Sequence, residues 1–458
     1  MPTFHLTSFG CRASQADGVA LKRQLSEAGF AEAEDLAHSD VAVLNTCTVT
    51  ATADSEVRQV IRRIHRQNPR CQILVTGCYA QRAPQEIAAL DGVAWVLGNS
   101  HKHRVVEVLK SGMAGAVLAE EPPADPSGDL PGKVMVGEIS PEFHFAPAFP
   151  DDRTRPTLKV QDGCNARCAF CIIPAVRGPS RSLPPNEVIR EVQELERLGA
   201  REVVLSGINL GGYGRDLNRS ITFRGLLERI LSETSVARLR ISSIEPMDVT
   251  PELIRLVARE KRLADHFHVP LQSGSDRVLR AMNRRYWTRQ YAERILAIRE
   301  ALPRAGIGAD VMVGFPGETG QDHQASAAFI DALPFTYLHI FPYSARPRTP
   351  AAGRPDQVNG RVARERGAEL RAIIARKRQT FLESQVGSTL SALTLADGVA
   401  LPDANVTAAA TPRSRTALTS NYLPVSVEAA NLPPNLLINL QVGRVSGAVL
   451  YGFAVRAA

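Results

Sequence analysis

The sequence predicts an α/β protein of three parts: an N-terminal parallel α/β domain over residues 1–118, a central (β/α) barrel, partial or complete, within residues 157–380, and a small all-β barrel over residues 381–458. Short β-rich runs alternate with helical patterns in the first two parts, which favours parallel sheets. Eight prolines between residues 120 and 156 predict a linker over residues 119–156. After about residue 385, short β-rich runs are separated by Gly, Pro and Asn turns, as in small β-barrels.

The composition excludes several classes of protein. The chain has 458 residues, of which 44% are hydrophobic and 22% are charged, so extensive disorder is excluded. No apolar run reaches the roughly 18 residues that span a bilayer. The first residues lack the basic and apolar segments of a secretory signal. We therefore expect a cytoplasmic protein without a membrane partner. The net charge of +7 permits a polyanionic partner but does not demand one.

The elements of the N-terminal part follow from its alternating pattern. Strands are predicted at residues 4–9, 41–44 and 72–76, and helices near residues 17–29 and 53–67. Because the strands are separated by helices, they should lie parallel in one sheet, with their carboxyl ends at one edge. Ligands collect at that edge in open α/β sheets.

Six further strands are predicted in the central part, at residues 158–161, 202–206, 239–242, 266–270, 308–313 and 337–341. Helical stretches lie between them, for example at residues 185–198, which together predict a barrel. Active sites of such barrels lie at the carboxyl ends of the strands. A basic helix follows over residues 361–378, and the clearest strands of the last part are residues 423–427 and 448–455.

The strongest chemical signal is the sequence CNARCAFC at residues 164–171, directly after a predicted strand. Disulfides are rare in a reducing cytoplasm, so the thiols of Cys164, Cys168 and Cys171 indicate metal binding. Thiolates suit iron–sulfur clusters and zinc. A closed zinc site needs four ligands, and no fourth His or Cys follows closely. The spacing therefore favours a 4Fe-4S cluster with one open iron, against the alternatives of a zinc knuckle or unrelated thiols.

Three more cysteines each follow a predicted strand of the N-terminal part. Cys11, Cys47 and Cys78 should converge at the carboxyl edge of that sheet, where Gly10 and Gly77 allow tight turns. They form a candidate second three-thiolate site; the alternative is that they are buried and inert. Cys71 precedes its strand, so we expect it at the opposite edge as a small packing residue.

These segments resemble a known family. CNARCAFC, with the following Ile172-Ile173-Pro174 and Arg177-Gly178, resembles the radical S-adenosylmethionine (radical SAM) core of methylthiotransferases. SFGC, NTCTVT and VTGC, which contain Cys11, Cys47 and Cys78, resemble that family's N-terminal domain. The C-terminal part is similar to a TRAM domain, a small RNA-binding barrel. The resemblance extends over essentially the whole chain.

The family has three branches, which modify N6-threonylcarbamoyladenosine beside the tRNA anticodon, isopentenyladenosine in tRNA, or an aspartate of a ribosomal protein. The chain is most similar to the first branch. The segments that carry this likeness are QDGC at 161–164, RGPSRS at 177–182, LSGINLG at 205–211, RISSIEP at 240–246 and HVPLQSG at 268–274.

The resemblance implies two 4Fe-4S clusters and S-adenosylmethionine as cofactors. Its catalytic cysteines Cys164, Cys168 and Cys171 would hold the cluster that cleaves S-adenosylmethionine, and the resulting radical would remove hydrogen from carbon 2 of the adenine. The second cluster would present the sulfur, which another S-adenosylmethionine methylates. The implied partners are the tRNA anticodon stem-loop and a reductase or flavodoxin-type electron donor; the sulfur donor is not identified.

Other residues are candidates for the S-adenosylmethionine pocket because they lie near the predicted carboxyl ends of the strands. They are Phe170, Gly207, Asn209, Glu245, Ser273, Gly274 and the segment 314–318. The alternative is that the glycines make turns and that Phe170 belongs to the core. Arg177 could pair with the cofactor carboxylate or a tRNA phosphate, or be a solvated loop charge.

The C-terminal part carries little charge for an RNA-binding domain, with four basic residues against three acidic ones from Ser384 onwards. Basic helical stretches are stronger candidates for tRNA binding, although solvated helix faces would explain them as well. These candidates are Arg58, Arg62, Arg63 and Arg66, and the helix 361–378 with Arg376, Lys377 and Arg378.

Overall fold

The computed structural model describes residues 1–116, 133–141, 154–218, 220–396, 414–428 and 432–455. The N-terminal domain has a six-stranded sheet of order β2-β1-β3-β4-β5-β6, and every pairing in it is parallel. Its elements are β1 Thr3–Ser8, α1 Arg12–Glu27, β2 Ala31–Glu32, β3 Val41–Thr46, α2 Ala51–Gln67, β4 Gln72–Gly77, α3 Cys78–Arg82, α4 Pro84–Ala88, β5 Val93–Gly98, α5 Val105–Ala116 and β6 Val134–Met135.

Helix α2 shows why these segments fold as predicted. Thr50 caps its start by accepting a hydrogen bond from the backbone N–H of Ala53 at 3.2 Å. Its buried residues Val57, Ile61 and Ile64 recur at helical spacing and pack against the central strands of the sheet. The apolar runs of β3 and β4 are buried on both faces, as in a parallel sheet covered by helices.

The proline-rich segment differs in part from a simple linker. Most of residues 119–156 lies outside the described residues. In its described part, β6 pairs with β5 and extends the first sheet. This strand has only two residues, which is too short for a strand pattern to be recognised in the sequence. Arg181 donates to the carbonyl of Ser140 at 2.7 Å, so this segment also contacts the central domain.

The central domain contains the six predicted strands with helices between them. Strands β7, β9 and β10 form a sheet with the short antiparallel β8, and β11, β12 and β13 form another. Parallel bridges at Ser243–His268 and Leu239–Leu263 join the two into a partial barrel. The elements are β7 Thr157–Asp162, α6 Ile173–Arg177, β8 Arg181–Ser182, α7 Pro185–Arg197, β9 Glu202–Gly207, α8 Phe223–Glu233, β10 Arg238–Ile241, α9 Pro251–Arg259, β11 His266–His268, α10 Asp276–Ala281, α11 Thr288–Ala301, β12 Gly306–Val313, α12 Gly320–Ala332, β13 Tyr337–Pro342 and α13 Gly360–Glu383.

Alternation along β12 separates the core from the barrel lumen. Ala309, Val311 and Val313 pack into the large apolar cluster beneath the surrounding helices. Because side chains alternate along a strand, Asp310 and Met312 lie on the other face, towards the lumen. The lumen thus carries polar side chains while the outer face supplies the core.

The C-terminal domain is a closed five-stranded barrel of order β14-β15-β16-β18-β17. Its strands are β14 Thr389–Thr394, β15 Ser414–Thr419, β16 Pro424–Glu428, β17 Leu437–Ser446 and β18 Val449–Val455. It closes the amino-terminal end of the central barrel, where Arg240 binds Glu202 at 2.7 Å and donates to the carbonyls of Thr419 and Ser420 at 3.0 Å. The buried ring of Tyr422 lies over His266 at this end. Across the described ranges, no helix has the length and apolar character of a bilayer span.

Candidate active site

The first cysteine loop follows β7 and passes over the carboxyl end of the barrel. The backbone N–H of Cys164 donates to the carbonyl of Gly178 at 3.1 Å, and that of Cys171 to Cys168 at 3.1 Å, which folds the loop on itself. All three thiols are partly exposed. Ala166 donates its backbone N–H to the Cys164 sulfur at 3.3 Å. A hydrogen bond of this kind favours the thiolate, which is the form that binds metal.

The second set of cysteines converges as the sheet topology predicts. Cys11, Cys47 and Cys78 follow β1, β3 and β4, which are neighbours in the sheet. Gly10 has φ +85°, and a side chain there would collide with Cys47, so glycine is required for this close approach. Gly77 has φ +99°, and a side chain on it would collide with the backbone of Thr46.

The two cysteine sets face each other across the domain boundary. Cys78 packs against Ile172 and Val176, which follow directly after the first cysteine loop. Asn99 joins the same surfaces, because its Nδ2 lies 3.5 Å from the Cys78 sulfur and donates to the carbonyl of Val176 at 2.7 Å. Cys78 of the second set therefore lies directly against the segment that follows Cys171 of the first set.

The number of thiols in each set favours a cluster over a closed zinc site, which needs four ligands. A zinc ion with Zn–S bonds of about 2.3 Å holds its sulfurs about 3.8 Å apart. Within the described residues, the one group of three or more His, Cys, Asp or Glu side chains whose ligand atoms all lie within 4.8 Å of one another contains no cysteine. In each triplet, at least one pair of sulfurs is therefore more widely spaced than that. A set of three thiols suits a 4Fe-4S cluster that leaves one iron open.

The electrostatics of the second set favour a thiolate at Cys11. A hydrogen bond from Cys47 lowers the pKa of Cys11 well below its ordinary value, and the positive charge of Arg177 contributes. The pKa of Cys47 is raised in turn by the same hydrogen bond and by burial. In the first set, burial raises the pKa of Cys171 to about 12. Deprotonation of these thiols is therefore coupled to whatever cation they bind.

Cys71 is not part of either set, as its position before β4 predicts. It is buried in the apolar cluster under α2, and its sulfur lies 3.7 Å from the hydroxyl of Ser39. Burial raises its pKa. The prediction that Cys71 is a packing residue is confirmed.

Arg177 differs from its predicted surroundings. Its side chain is 2% exposed; Nη1 lies 3.0 Å from both carboxylate oxygens of Asp162, and Nη2 donates to Asp17 at 3.0 Å. The alternative of a solvated loop charge was wrong, and both carboxylates that Arg177 binds belong to the protein itself. Burial raises the pKa of Asp162, but Arg177 and Lys159 outweigh it and lower this pKa to about 2.

Arg284 is a functional candidate that the sequence reasoning missed. Its Nη1 lies 3.3 Å from the Cys168 sulfur, and its Nη2 pairs with Glu245, a predicted pocket residue. The guanidinium carbon Cζ of Arg284 lies over the ring of Tyr286, 4.9 Å from the ring centroid. Nothing near Arg284 in the sequence marks it, because it reaches the cysteine loop only through the fold.

The predicted pocket residues separate into two groups. Asn209 lies near the first cysteine loop, with Nδ2 4.0 Å from the Cys164 sulfur, and Gly207 packs closely on Gln161. Phe170 is partly buried against an apolar cluster that includes Met312. In contrast, Ser273 and Gly274 contact α12: the Ser273 hydroxyl lies 3.3 Å from that of Ser326, which also accepts from the Gly274 N–H. In segment 314–318, the N–H of Gly314 donates to Glu318 at 2.5 Å.

The candidate tRNA-binding residues differ in how they are engaged. Arg62, Arg63 and Arg66 lie on the exposed face of α2, whereas Arg58 binds the Tyr79 hydroxyl at 2.7 Å and Glu86 at 3.0 Å.

The basic end of α13 is held to α12. Arg376 binds the carboxylate of Asp331 at 2.6 Å, and Lys377 donates to the Asp331 carbonyl at 2.6 Å. Arg378 is partly buried on the same helix. In the C-terminal barrel, Arg444 lies 3.7 Å from Glu428, and four of the charged residues counted there are outside the described residues: Asp397, Asp403, Arg413 and Arg456.

Comparison with known families defines the class of protein. The family described as the radical SAM superfamily matches residues 158–330, which contain the first cysteine loop and five of the six barrel strands. The family described as uncharacterized protein family UPF0004 matches residues 3–98, which contain the second set of cysteines. The central domain is therefore that of a radical SAM enzyme.

Curated relatives identify the family more closely. The chain is 41% identical over 374 residues to a threonylcarbamoyladenosine tRNA methylthiotransferase MtaB of Bacillus subtilis, covering 81% of this chain and 80% of that protein. It is 38% identical to the protein of the same name from Aquifex aeolicus, over 85% and 92% of the two chains. A tRNA-2-methylthio-N(6)-dimethylallyladenosine synthase of Syntrophobacter fumaroxidans is 36% identical over 81% and 80%. The chain belongs to the radical SAM methylthiotransferase family.

Solved structures support the fold alone. The radical S-adenosylmethionine methyltransferase TsrM from Kitasatospora setae, solved with tryptophan and an S-adenosylmethionine analogue, matches with a TM-score of 0.55 at 16% identity. The match covers 77% of this chain and 75% of that one. It agrees with an α/β domain placed before a radical SAM barrel.

Proposed function

We propose that the protein is a tRNA methylthiotransferase that places a methylthio group on carbon 2 of N6-threonylcarbamoyladenosine beside the anticodon. The observation that carries this proposal is that two groups of three thiols lie on adjoining domains, with Cys78 of one group packed against Ile172 and Val176, which follow the other group. The named activity of the Bacillus and Aquifex relatives supports the choice of nucleoside.

The chemistry of the proposed reaction belongs to the cofactors. When bound, two 4Fe-4S clusters and S-adenosylmethionine supply a carbon-centred radical, a sulfur atom and a methyl group. We assign the first cluster to Cys164, Cys168 and Cys171 and the second to Cys11, Cys47 and Cys78. The contribution of the chain is to hold these groups at a fixed separation and to keep water away from them.

Several side chains perform this positioning. Arg284 and the N–H of Ala166 donate to sulfurs of the first set, and Asn99 contacts a sulfur of the second. Hydrogen bonds to ligand sulfurs tune the potential of iron–sulfur clusters. Ile172 and Val176 are both buried and pack against Cys78, so they shield this thiol of the second set from water.

The cofactor pocket is proposed at the carboxyl end of the barrel. Asn209 follows β9 and contacts the Cys164 sulfur directly. Glu245 follows β10 and is linked to the Cys168 sulfur through Arg284. Gly207 packs against Leu210 and Gln161, and a side chain there would collide with both, so glycine is needed for the close packing at the end of β9. A reductase or flavodoxin-type protein would supply the electrons, and the exposed face of α2 with Arg62 is a surface for the tRNA backbone.

Nucleoside analysis tests the proposed function. Transfer RNA is isolated from cells of the source organism with and without the gene, and its nucleosides are quantified by mass spectrometry. We expect the methylthio form of threonylcarbamoyladenosine to disappear on deletion and to return with the parent gene and with Cys71→Ala, but not with Cys78→Ala. Loss of the methylthio group from dimethylallyladenosine instead would contradict the proposal and favour the activity named for the Syntrophobacter relative.

A further inference from the structure

Three ligand-type side chains from adjacent strands meet in the barrel lumen, away from both cysteine sets. They are His268 on β11, Asp310 on β12 and His339 on β13, and one ligand atom of each lies within 4.8 Å of the other two. The Asp310 Oδ1 lies 3.1 Å from His268 Nε2 and 3.4 Å from His339 Nδ1. In the described part of the chain, this is the one group of His, Cys, Asp or Glu with such spacing.

These separations fit the coordination sphere of one ion. A transition ion with bonds of about 2.0–2.2 Å to nitrogen and oxygen places neighbouring ligand atoms about 3.0–3.6 Å apart. Two imidazoles and one carboxylate form the ligand set of open zinc sites and of non-haem ferrous sites. Because three neighbouring strands hold the three side chains, the backbone fixes their spacing rather than a flexible loop.

A second layer of contacts orients the first histidine. The Nδ1 of His268 lies 3.0 Å from the Tyr337 hydroxyl, which also lies 2.8 Å from Nε2 of His266. If Nδ1–H donates to Tyr337, the lone pair of Nε2 points towards Asp310. Such a partner on the other ring nitrogen is usual for a histidine that binds a metal.

The group is reachable from the lumen and lies below the proposed cofactor site. The side chains of Asp310 and His339 are 26% and 41% exposed. Met312 and Phe341, two residues further along the same strands, belong to the apolar cluster that contacts Phe170 of the first cysteine loop. At about 3.3 Å per residue, the group therefore lies about 7 Å below that layer.

We propose that His268, Asp310 and His339 bind a divalent first-row transition ion, zinc or ferrous iron, whose remaining coordination positions face the lumen. An oxygen donor, either water or a carboxylate or carbonyl group of a molecule in the lumen, takes those positions. This site is separate from the six cluster thiols and does not depend on the proposed nucleoside substrate.

Zinc is the probe for this site, because N and O ligand sets bind it more tightly than ferrous iron. Anaerobically reconstituted holoenzyme is incubated with a slight excess of Zn²⁺, freed of loose metal by gel filtration with a weak chelator, and analysed for iron and zinc by mass spectrometry. We expect one zinc per chain in addition to the cluster iron. Asp310→Asn and His339→Gln should lose that zinc and keep the iron, and Tyr337→Phe should weaken zinc binding by about 10–100-fold.

The matched control is His323→Gln, which removes another histidine–carboxylate pair, in which the buried His323 has its Nε2 2.7 Å from Glu369. This variant should keep its zinc. X-ray absorption at the zinc edge should show only nitrogen and oxygen neighbours. Zinc content that is equal in parent, Asp310→Asn and His339→Gln, a sulfur shell at about 2.3 Å, or no retained zinc in the parent would overturn the proposal. Unchanged iron content and melting temperature in the variants show that they remain folded.

Discussion

Arg177 and Asp17 lie 160 residues apart in the chain and form a buried ion pair across the boundary between the first two domains, with Nη2 3.0 Å from Oδ2. Asp17 belongs to α1, whose N-cap residue is Cys11, and Arg177 ends α6, which follows Cys171. The pair thus ties the helix behind one cysteine set to the helix behind the other. Lys102 at 2.8 Å and Lys159 also bind Asp17.

Removal of Arg177 should destabilise the protein. Arg177→Ala leaves Asp17 and Asp162 buried with fewer cations, and breaking a buried pair in this way costs about 3–5 kcal/mol. Thermal or denaturant unfolding under anaerobic conditions measures the loss. Arg197→Ala is the control, since Arg197 is 69% exposed where it pairs with Glu194, and such surface pairs contribute about 0–1 kcal/mol. Equal effects of the two variants would contradict the assigned role.

Asp17 and Asp162 also lead us to expect that the contact between the first two domains weakens in acid. Asp162 has a folded-state pKa of about 2, and the cations around Asp17 outweigh its burial and hold its pKa well below the usual range. An unfolded aspartate has a pKa of about 3.9. Their ionised forms therefore stabilise the folded state above pH of about 4, and this contribution is lost as pH falls towards 2. Melting temperatures of cluster-free protein between pH 6 and pH 3 should fall more steeply in the parent than in Asp162→Asn.

The two cysteine sets should fail in different ways. Cys11→Ala, Cys47→Ala or Cys78→Ala should retain about four irons of about eight and still cleave S-adenosylmethionine under dithionite, but form no methylthio product. Cys164→Ala, Cys168→Ala or Cys171→Ala should abolish cleavage. Cys71→Ala is the control and should keep all the iron. Iron and sulfide analysis with 5'-deoxyadenosine quantification checks these outcomes; about four irons in the parent would reject the second cluster.

Arg284 should tune the first cluster. Arg284→Gln removes a cation 3.3 Å from the Cys168 sulfur, so the cluster should become harder to reduce and its potential should fall. A redox titration followed by electron paramagnetic resonance measures this shift. Arg280→Gln, at an exposed position of α10, should leave the potential unchanged. A normal potential in Arg284→Gln would contradict the role.

The basic end of α13 gives a prediction for tRNA affinity. Reversing the charge at Arg376, Lys377 and Arg378 should weaken binding and reduce the slope of log affinity against log salt by about 0.7–0.9 for each lost phosphate contact. Asp331→Asn is the control, because it removes the partner of Arg376 and leaves the basic charges in place. An unchanged affinity across a salt series after charge reversal would exclude this surface.

Much of the architecture was predictable because periodicity and strand order depend on local sequence. The six barrel strands were predicted to within a few residues of their ends, and the rule that parallel strands end at one edge brought Cys11, Cys47 and Cys78 together. The family resemblance is confirmed by the relatives. The roles assigned to individual pocket and tRNA-binding residues stay predictions.

Contacts between distant segments were not predictable in this way. Arg177 looks like any loop arginine until the N-terminal domain buries it against Asp17. His268, Asp310 and His339 are separated by about 30 residues or more in the sequence and lie on three different strands. Their meeting depends on which strand is neighbour to which and on the register between them, and single-strand patterns contain neither. The pairing of β6 with β5 is missed for the same reason.

The amino-terminal end of the central barrel is closed, and this limits how a nucleotide can enter the lumen. The rings of His266, Tyr337 and Tyr422 contact one another there, and Arg240 joins the C-terminal barrel to the strands. Arg12 of the N-terminal domain donates to the Tyr422 hydroxyl at 3.0 Å. The lumen is therefore closed at the amino-terminal end of the barrel and opens at the carboxyl end, beside the first cysteine loop. A base that reacts there has to unstack from its neighbours in the anticodon loop before it enters the lumen, so the free energy of unstacking is spent before any chemistry begins.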